Sequence, residues 1–408
     1  MTGDDYRVGR REVLEVAGGA LATTAVGGTA TGNRGAAAGD SEANRGGSDG
    51  SITFAQFNVL ELTAEKAQSE DSEQLQAAAE VVQSAPEPDV LLINELDNNF
   101  QSGRQTEVHN AAAFLENYLN VPQRDDLEGV DFDHFYAPDS NTGVPSGVDV
   151  TKDGHVLEPG SRDYGNDAFG FGEYPGQYAM AIYSKHPIDA GRIRTLREFR
   201  WGDMPENRAP TEDKYDSGVY LTDAELERFR LSSKTHADVP IWIDGELVHA
   251  VIAHPTPPAF DGDENLNGRR NYAEVRLVGD YVRGAEYVYD DRGNEGGLTE
   301  DEPFVVMGDM NAEPGGEDNY DTAGENLIEN PRIQSDPLPE SEGAAEVVGN
   351  PNATAEFEKQ ADYVLPSTEF EIVDSAAVWP AEGEPLRPVV ETASDHRMVW
   401  VEAEFASD

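Results

Sequence analysis

The chain has 408 residues, enough to bury a large core, and 38% of them are hydrophobic, which excludes a disordered acidic protein. With 80 Asp and Glu against 29 Lys and Arg, and six lysines in all, the formal net charge is −51. That excludes a long nucleic acid held along a basic track, and it predicts adaptation to molar salt, where a Debye length of about 3 Å screens the self-repulsion. The absence of cysteine excludes disulfides, thiol catalysis and zinc–thiolate sites.

In chain order, residues 1–38 read as a twin-arginine-type export signal: Arg10-Arg11, a mild Ala/Gly/Thr/Val region, and Ala36-Ala37-Ala38 as a processing site. This predicts an extracellular or cell-surface protein. Residues 39–50 read as a flexible linker, and 51–408 as one catalytic domain with no membrane-spanning segment. Ile52 to Val59 has the β-branched and aromatic character of a strand and contains Asn58. A helix is expected from near Ser72 to Ala85, then a buried strand, Asp89 to Glu95, ending in a carboxylate, then a helix from Glu107 to Leu119. Such alternation opens an α/β layer structure.

Residues 138–175, rich in Gly, Pro, Asp and Asn, form a long insertion before the strand Gln177 to Ser184. A second insertion, 198–222, carries Trp201, Met204 and Tyr215 and is expected to cover the site. Sheet strands follow at Val239 to Ile243 and Leu247 to Ala253, the latter running into His254 and a proline-stiffened loop. The acidic stretch from Asp261 to Asn271 superficially resembles a calcium loop. Leu266 and Tyr272 stand where an EF-hand needs glycine and glutamate, so that reading is rejected. Arg269 and Arg270, adjacent in an arginine-poor chain, are the candidates for a phosphate contact; pairing with neighbouring acids is the structural alternative. A helix is expected from near Arg270 to Tyr281.

The apolar run Pro303 to Met307 ends in Gly308-Asp309-Met310-Asn311. A continuing strand would point Asp309 and Asn311 the same way, and a carboxylate that orients water beside an amide donor suits phosphoester hydrolysis next to a metal. A loop-rich region follows, to about Lys359. The closing elements are Ala361 to Leu365, Phe370 to Trp379, and Ser394 to Val401.

Asn58, Glu95, His254, Asp309, Asn311, Asp362, Asp395 and His396 thus all fall at strand ends, where a lone Asp or Asn is ordinary turn chemistry. Together, and above all through Gly308-Asp309-Met310-Asn311, Ser394-Asp395-His396 and Asp362-Tyr363, they resemble the endonuclease/exonuclease/phosphatase superfamily. The resemblance implies an α/β fold, a four-layer α-β-β-α sandwich of two packed mixed sheets with outer helices. It implies Glu95 as the main ligand of a divalent cation, with Asn58 and Asp395 near it. The cation would be Mg²⁺, with Mn²⁺ and Ca²⁺ as alternatives. It further implies Asp309 to orient or deprotonate water, Asn311 to bind the phosphoryl group, and His254 and His396, the latter positioned by Asp362, to bond phosphate oxygens. Gln177 stands where some members carry a carboxylate against the His254-like histidine. The expected activity is a secreted metal-dependent phosphodiesterase or phosphatase. Its substrate is expected to be small or lipid-derived rather than a long nucleic acid, with no stable protein partner. The alternatives are a catalytically silent binding protein on the same fold and a calcium-binding adhesion module. Strand-tip residues of this kind are expected to contribute little burial.

Overall fold

Alternate side chains of the strands bury against different layers, and this alternation builds the architecture. The computed structural model describes residues 6–9, 12–15, 50–102, 106–161, 163–211 and 220–407. The chain first lays down β1 (Tyr6–Gly9), β2 (Glu12–Glu15), β3 (Ile52–Leu62), β4 (Val90–Leu96), β5 (His134–Tyr136) and β6 (Ala179–Ser184). It then crosses to a second sheet with β7 (Arg194–Thr195), β8 (His236–Ile243), β9 (Glu246–Ala253), β10 (Phe304–Asp309) and β11 (Asp362–Pro366). Finally it returns through β12 (Phe370–Ala377) and β13 (Val399–Phe405). The strand orders are β12-β13-β3-β4-β6-β5-β1-β2 and β11-β10-β9-β8-β7, each mixing parallel and antiparallel pairs.

In β4, Val90 and Leu92 face the second sheet, where they pack with Val239, Ile252, Val305 and Met307. Leu91 and Ile93 face outward, onto the helices α1 (Ala64–Gln68), α2 (Glu73–Ser84) and α3 (Asn110–Phe114). The short α4 (Asp223–Leu226) and the 17-residue α5 (Leu266–Val282) cover the other side, against Val251, Phe304 and Val306. The result is a four-layer α-β-β-α sandwich of two mixed sheets. Strands buried on both faces explain the unbroken apolar runs in the sequence. Two further helices, α6 (Glu342–Val347) and α7 (Arg387–Ala393), complete the set.

Several local expectations shift. Ser72 caps α2 by accepting the Leu75 N–H, and α3 widens into a π-helical turn, Leu115–Leu119. Helix α5 starts at Leu266 rather than near Arg270, because the Asp261 carboxylate accepts the N–H groups of Asn267 and Gly268. Asp261 is therefore spent on a helix terminus, in keeping with the rejected calcium loop. The loop-rich 312–359 region contains α6, and Ser394 to Met398 precedes β13 instead of belonging to it. Trp201 and Met204 are core residues beside Phe229, and no described residue of 198–222 lines the cavity below. Tyr215 lies outside the described residues. So do Arg10-Arg11 and the rest of the predicted export signal and linker, apart from Gly50 and the backbone of β1 and β2. No described helix is long and apolar enough to cross a membrane.

Candidate active site

Strand register brings the polar residues to one edge of the sandwich. Parallel β9 and β10 set Ile252 opposite Met307, so His254 and Asp309 emerge side by side; antiparallel β11 sets Asp362 opposite Asp309. In the other sheet, parallel β3 and β4 set Asn58 opposite Asn94, one residue before Glu95. Val399 pairs with Gln56, which draws the preceding Ser394 to His396 to the same end.

Asp309 is the hub. His254 Nε2 lies 3.4 Å and His396 Nε2 3.8 Å from its Oδ2, to which Asn58 Nδ2 also donates at 3.0 Å. Its Oδ1 accepts the Asn311 N–H at 2.9 Å. His396 Nδ1 sits 2.8 Å from Asp362 Oδ2. Burial alone would depress His396, but the Asp362 and Asp309 carboxylates outweigh it and raise the ring to about 10. Burial likewise pushes Asp309 upward, yet the charges of His396 and His254 hold it well below the usual carboxylate range. Asp362, buried near a second carboxylate, is pushed up. The proton resides on the imidazole between the two acids.

The strand-tip residues are more deeply buried than expected: Asp309 is 1% exposed, Asp362 2% and His396 5%. Nor does the strand continue through Asn311, which has a left-handed φ of 49°. Asn311 still reaches the cavity, by a turn rather than by the pleat, and its Nδ2 donates to the Pro255 carbonyl.

Sequence reasoning missed the residues that hold this set in place. Thr354 Oγ1 and Gln56 Nε2 donate to Asp362 at 2.7 and 3.1 Å. Ser394 Oγ donates to the Asn58 carbonyl and accepts the His396 N–H, tying β3 to the histidine. Arg397, fully buried over Trp379, donates to the carbonyls of Ser394 and His396. Glu274 of α5 accepts the N–H groups of Ser233 and Thr256, and Asn271 donates to the carbonyls of Thr256 and Met310. Polar residues three apart on a buried helix face were the available signal for this pair. Lys234, also missed, is buried and donates to the Pro255 carbonyl at 3.2 Å; burial pulls its pKa down.

Glu95, Lys234, His254, Asp309, Asn311 and His396 line one cavity of about 690 Å³. Asn58 and Asp362 stand behind its wall. Half-buried Asp395 also lies outside the lining; its carboxylate is 3.5 Å from Ser394 Oγ. Arg270 lines the cavity, but its guanidinium donates to the carbonyls of Leu231, Phe169 and Arg230. Arg269 does not line it and donates to the carbonyls of Glu264 and Arg208. Gln177 accepts the Glu173 N–H; His254 Nε2 faces Asp309, and its buried Nδ1 has no hydrogen-bond partner among the described residues.

Asp309, Asp362 and His396 form a candidate metal cluster, with one ligand atom from each within 4.8 Å of the others. Glu95 provides a second oxygen donor. It accepts from Asn58 Nδ2 at 3.3 Å and the Glu61 N–H at 3.2 Å, and its φ of 65° is one few non-glycine residues adopt. Carboxylate oxygens suit a hard cation such as Mg²⁺, Mn²⁺ or Ca²⁺. Both His396 ring nitrogens already face carboxylates, those of Asp309 and Asp362, whereas Glu95 faces hydrogen-bond donors.

Residues 55–396 match the model of the Endonuclease/Exonuclease/phosphatase family, and the chain belongs to that family. Among solved structures it is similar to an endonuclease/exonuclease/phosphatase from Beutenbergia cavernae, at 16% identity, covering 88% of this chain and 72% of that one, with a TM-score of 0.46. It is also similar to the human Nocturnin catalytic domain, at 13% identity, 87% and 95% coverage and a TM-score of 0.42. A third is sphingomyelinase C from Streptomyces griseocarneus, at 14% identity, 86% and 99% coverage and a TM-score of 0.40. No curated protein matches the chain.

Proposed function

We propose that the protein is a divalent-metal-dependent phosphoester hydrolase in which an activated water attacks phosphorus. The observation that carries this reading is the convergence of Glu95, His254, Asp309, Asn311 and His396 on one cavity. Asp309, kept ionised by two histidines, orients the water. His396, oriented by Asp362, donates to a phosphoryl oxygen, and Asn311 and His254 donate beside it; such donors act where charge develops. Lys234 lines the same cavity. A metal held by Glu95, supported by Asn58 and Asp395, supplies charge neutralisation and polarisation of the phosphorus. The net charge and the finite cavity favour a small or lipid-derived phosphoester over long nucleic acid. Export by the twin-arginine route belongs to the same proposal, carried by Arg10-Arg11; retention of an Arg10→Lys, Arg11→Lys variant inside the cell is its test.

The decisive measurement is nitrophenol release from bis- and mono-nitrophenyl phosphate in molar KCl, with Mg²⁺, Mn²⁺ or chelator. Hydrolysis that chelator abolishes is expected, and Asp309→Asn should lower it by roughly 10²- to 10⁴-fold. No hydrolysis of either ester by folded, metal-loaded protein would count against the reading. Calorimetry with Mn²⁺ separates the metal positions: Glu95→Gln should weaken binding more than Asp362→Asn, and the reverse order would move the metal to the Asp309, Asp362, His396 cluster.

A further inference from the structure

The cavity lining joins the catalytic groups to a set of apolar side chains, Val150, Phe171, Phe229, Phe260 and Leu266. Phe171 is 58% exposed and Phe260 97%. A third ring, Phe357, is 47% exposed, lines the same cavity and meets the His396 ring edge-on at 5.3 Å. These are the three exposed phenylalanines among the described residues, and all three lie on this cavity. Single exposed apolar residues are ordinary, but a cluster that shares one concave site marks a place where apolar ligand surface is buried.

We propose that these side chains form an apolar subsite and that the substrate is a phosphoester carrying an aryl or short alkyl group. The phosphate lies at the Asp309 and His396 end, and the apolar group lies between Phe171, Phe260 and Leu266. The inference rests on the phosphoesterase reading above and narrows it. A volume of about 690 Å³ suits one small organic molecule.

Calorimetry with methyl-, butyl-, hexyl- and phenylphosphonate tests it, in molar KCl with Mg²⁺. Affinity should rise by up to about fourfold per added methylene until the subsite fills. A Phe171→Ser, Phe260→Ser double variant should flatten that rise. Both side chains are exposed, so the variant should fold; either single variant, flattening part of the rise, serves if it does not. A flat series in the wild-type protein, with methylphosphonate bound, overturns the subsite and leaves the phosphoesterase reading standing. Hexanol binding as tightly as hexylphosphonate overturns the phosphoester as the ligand class, and with it the reading on which the inference rests.

Discussion

His109 and His396 are both buried, yet their rings sit in opposite charge states. His396 lies between two carboxylates and is held up at about 10. His109 stacks on Phe100 at 4.6 Å and meets Phe135 edge-on, and burial lowers it from 6.5 to about 3. Its Nδ1 accepts the Ala111 N–H at the start of α3, which only a neutral ring can do. A histidine with a depressed folded pKa binds fewer protons than it does in the unfolded chain. Its contribution to stability is therefore fully present above about 6.5 and lost progressively as pH falls toward 3. Denaturant titrations across that window should show a steeper acid loss for the wild-type protein than for His109→Asn, which keeps a capping side chain, by on the order of 2–4 kcal/mol. Equal slopes would show that His109 is not held neutral. At this scale the sequence named Glu95, His254, Asp309, Asn311 and His396, because their types and order carry the chemistry. It missed Thr354, Gln56 and Arg397, since a residue that acts by holding another shows no chemistry of its own.

At the scale of elements, β10 is the one whose geometry the site cannot spare. Gly308 has a φ of 151°, and a Cβ built there would stand 1.9 Å from the Ala253 carbonyl oxygen of β9. The glycine thus lets two parallel strands approach directly before His254 and Asp309. Gly308→Ala should push the strands apart, lowering stability by about 2 kcal/mol or more and reducing activity together with it. Thermal unfolding and nitrophenol release on one preparation check this; a variant with unchanged stability would mean the strands yield without cost. Asp309→Asn is the contrast, removing a charge while keeping the shape. An Asp309→Ala change would do more than remove chemistry, since it removes the buried carboxylate that the His254 and His396 rings face. Low burial of strand tips was the wrong premise, because Asp309, Asp362 and His396 are all buried.

For the whole molecule, the net charge of −51 makes stability a function of salt. Repulsion among exposed acids is long-ranged in dilute buffer and confined to about 3 Å at molar salt. The melting temperature should therefore rise by on the order of 10 °C between dilute buffer and molar KCl. A melting temperature indifferent to salt would sever the composition from any adaptation to salt. By itself, the sequence determined the central strands and, through strand-end motifs, the family resemblance that implied the layer order, because apolar runs and strand-end carboxylates are local patterns. It also determined the charge, which is a plain sum. The tertiary structure alone decided that residues as far apart as Asn58 and His396 share one hydrogen-bond network, that His396 is the protonated member, and that Phe171, Phe260 and Phe357 meet on one cavity. Those outcomes depend on register and on loop return across two sheets, and no window of the chain encodes a distance between its ends.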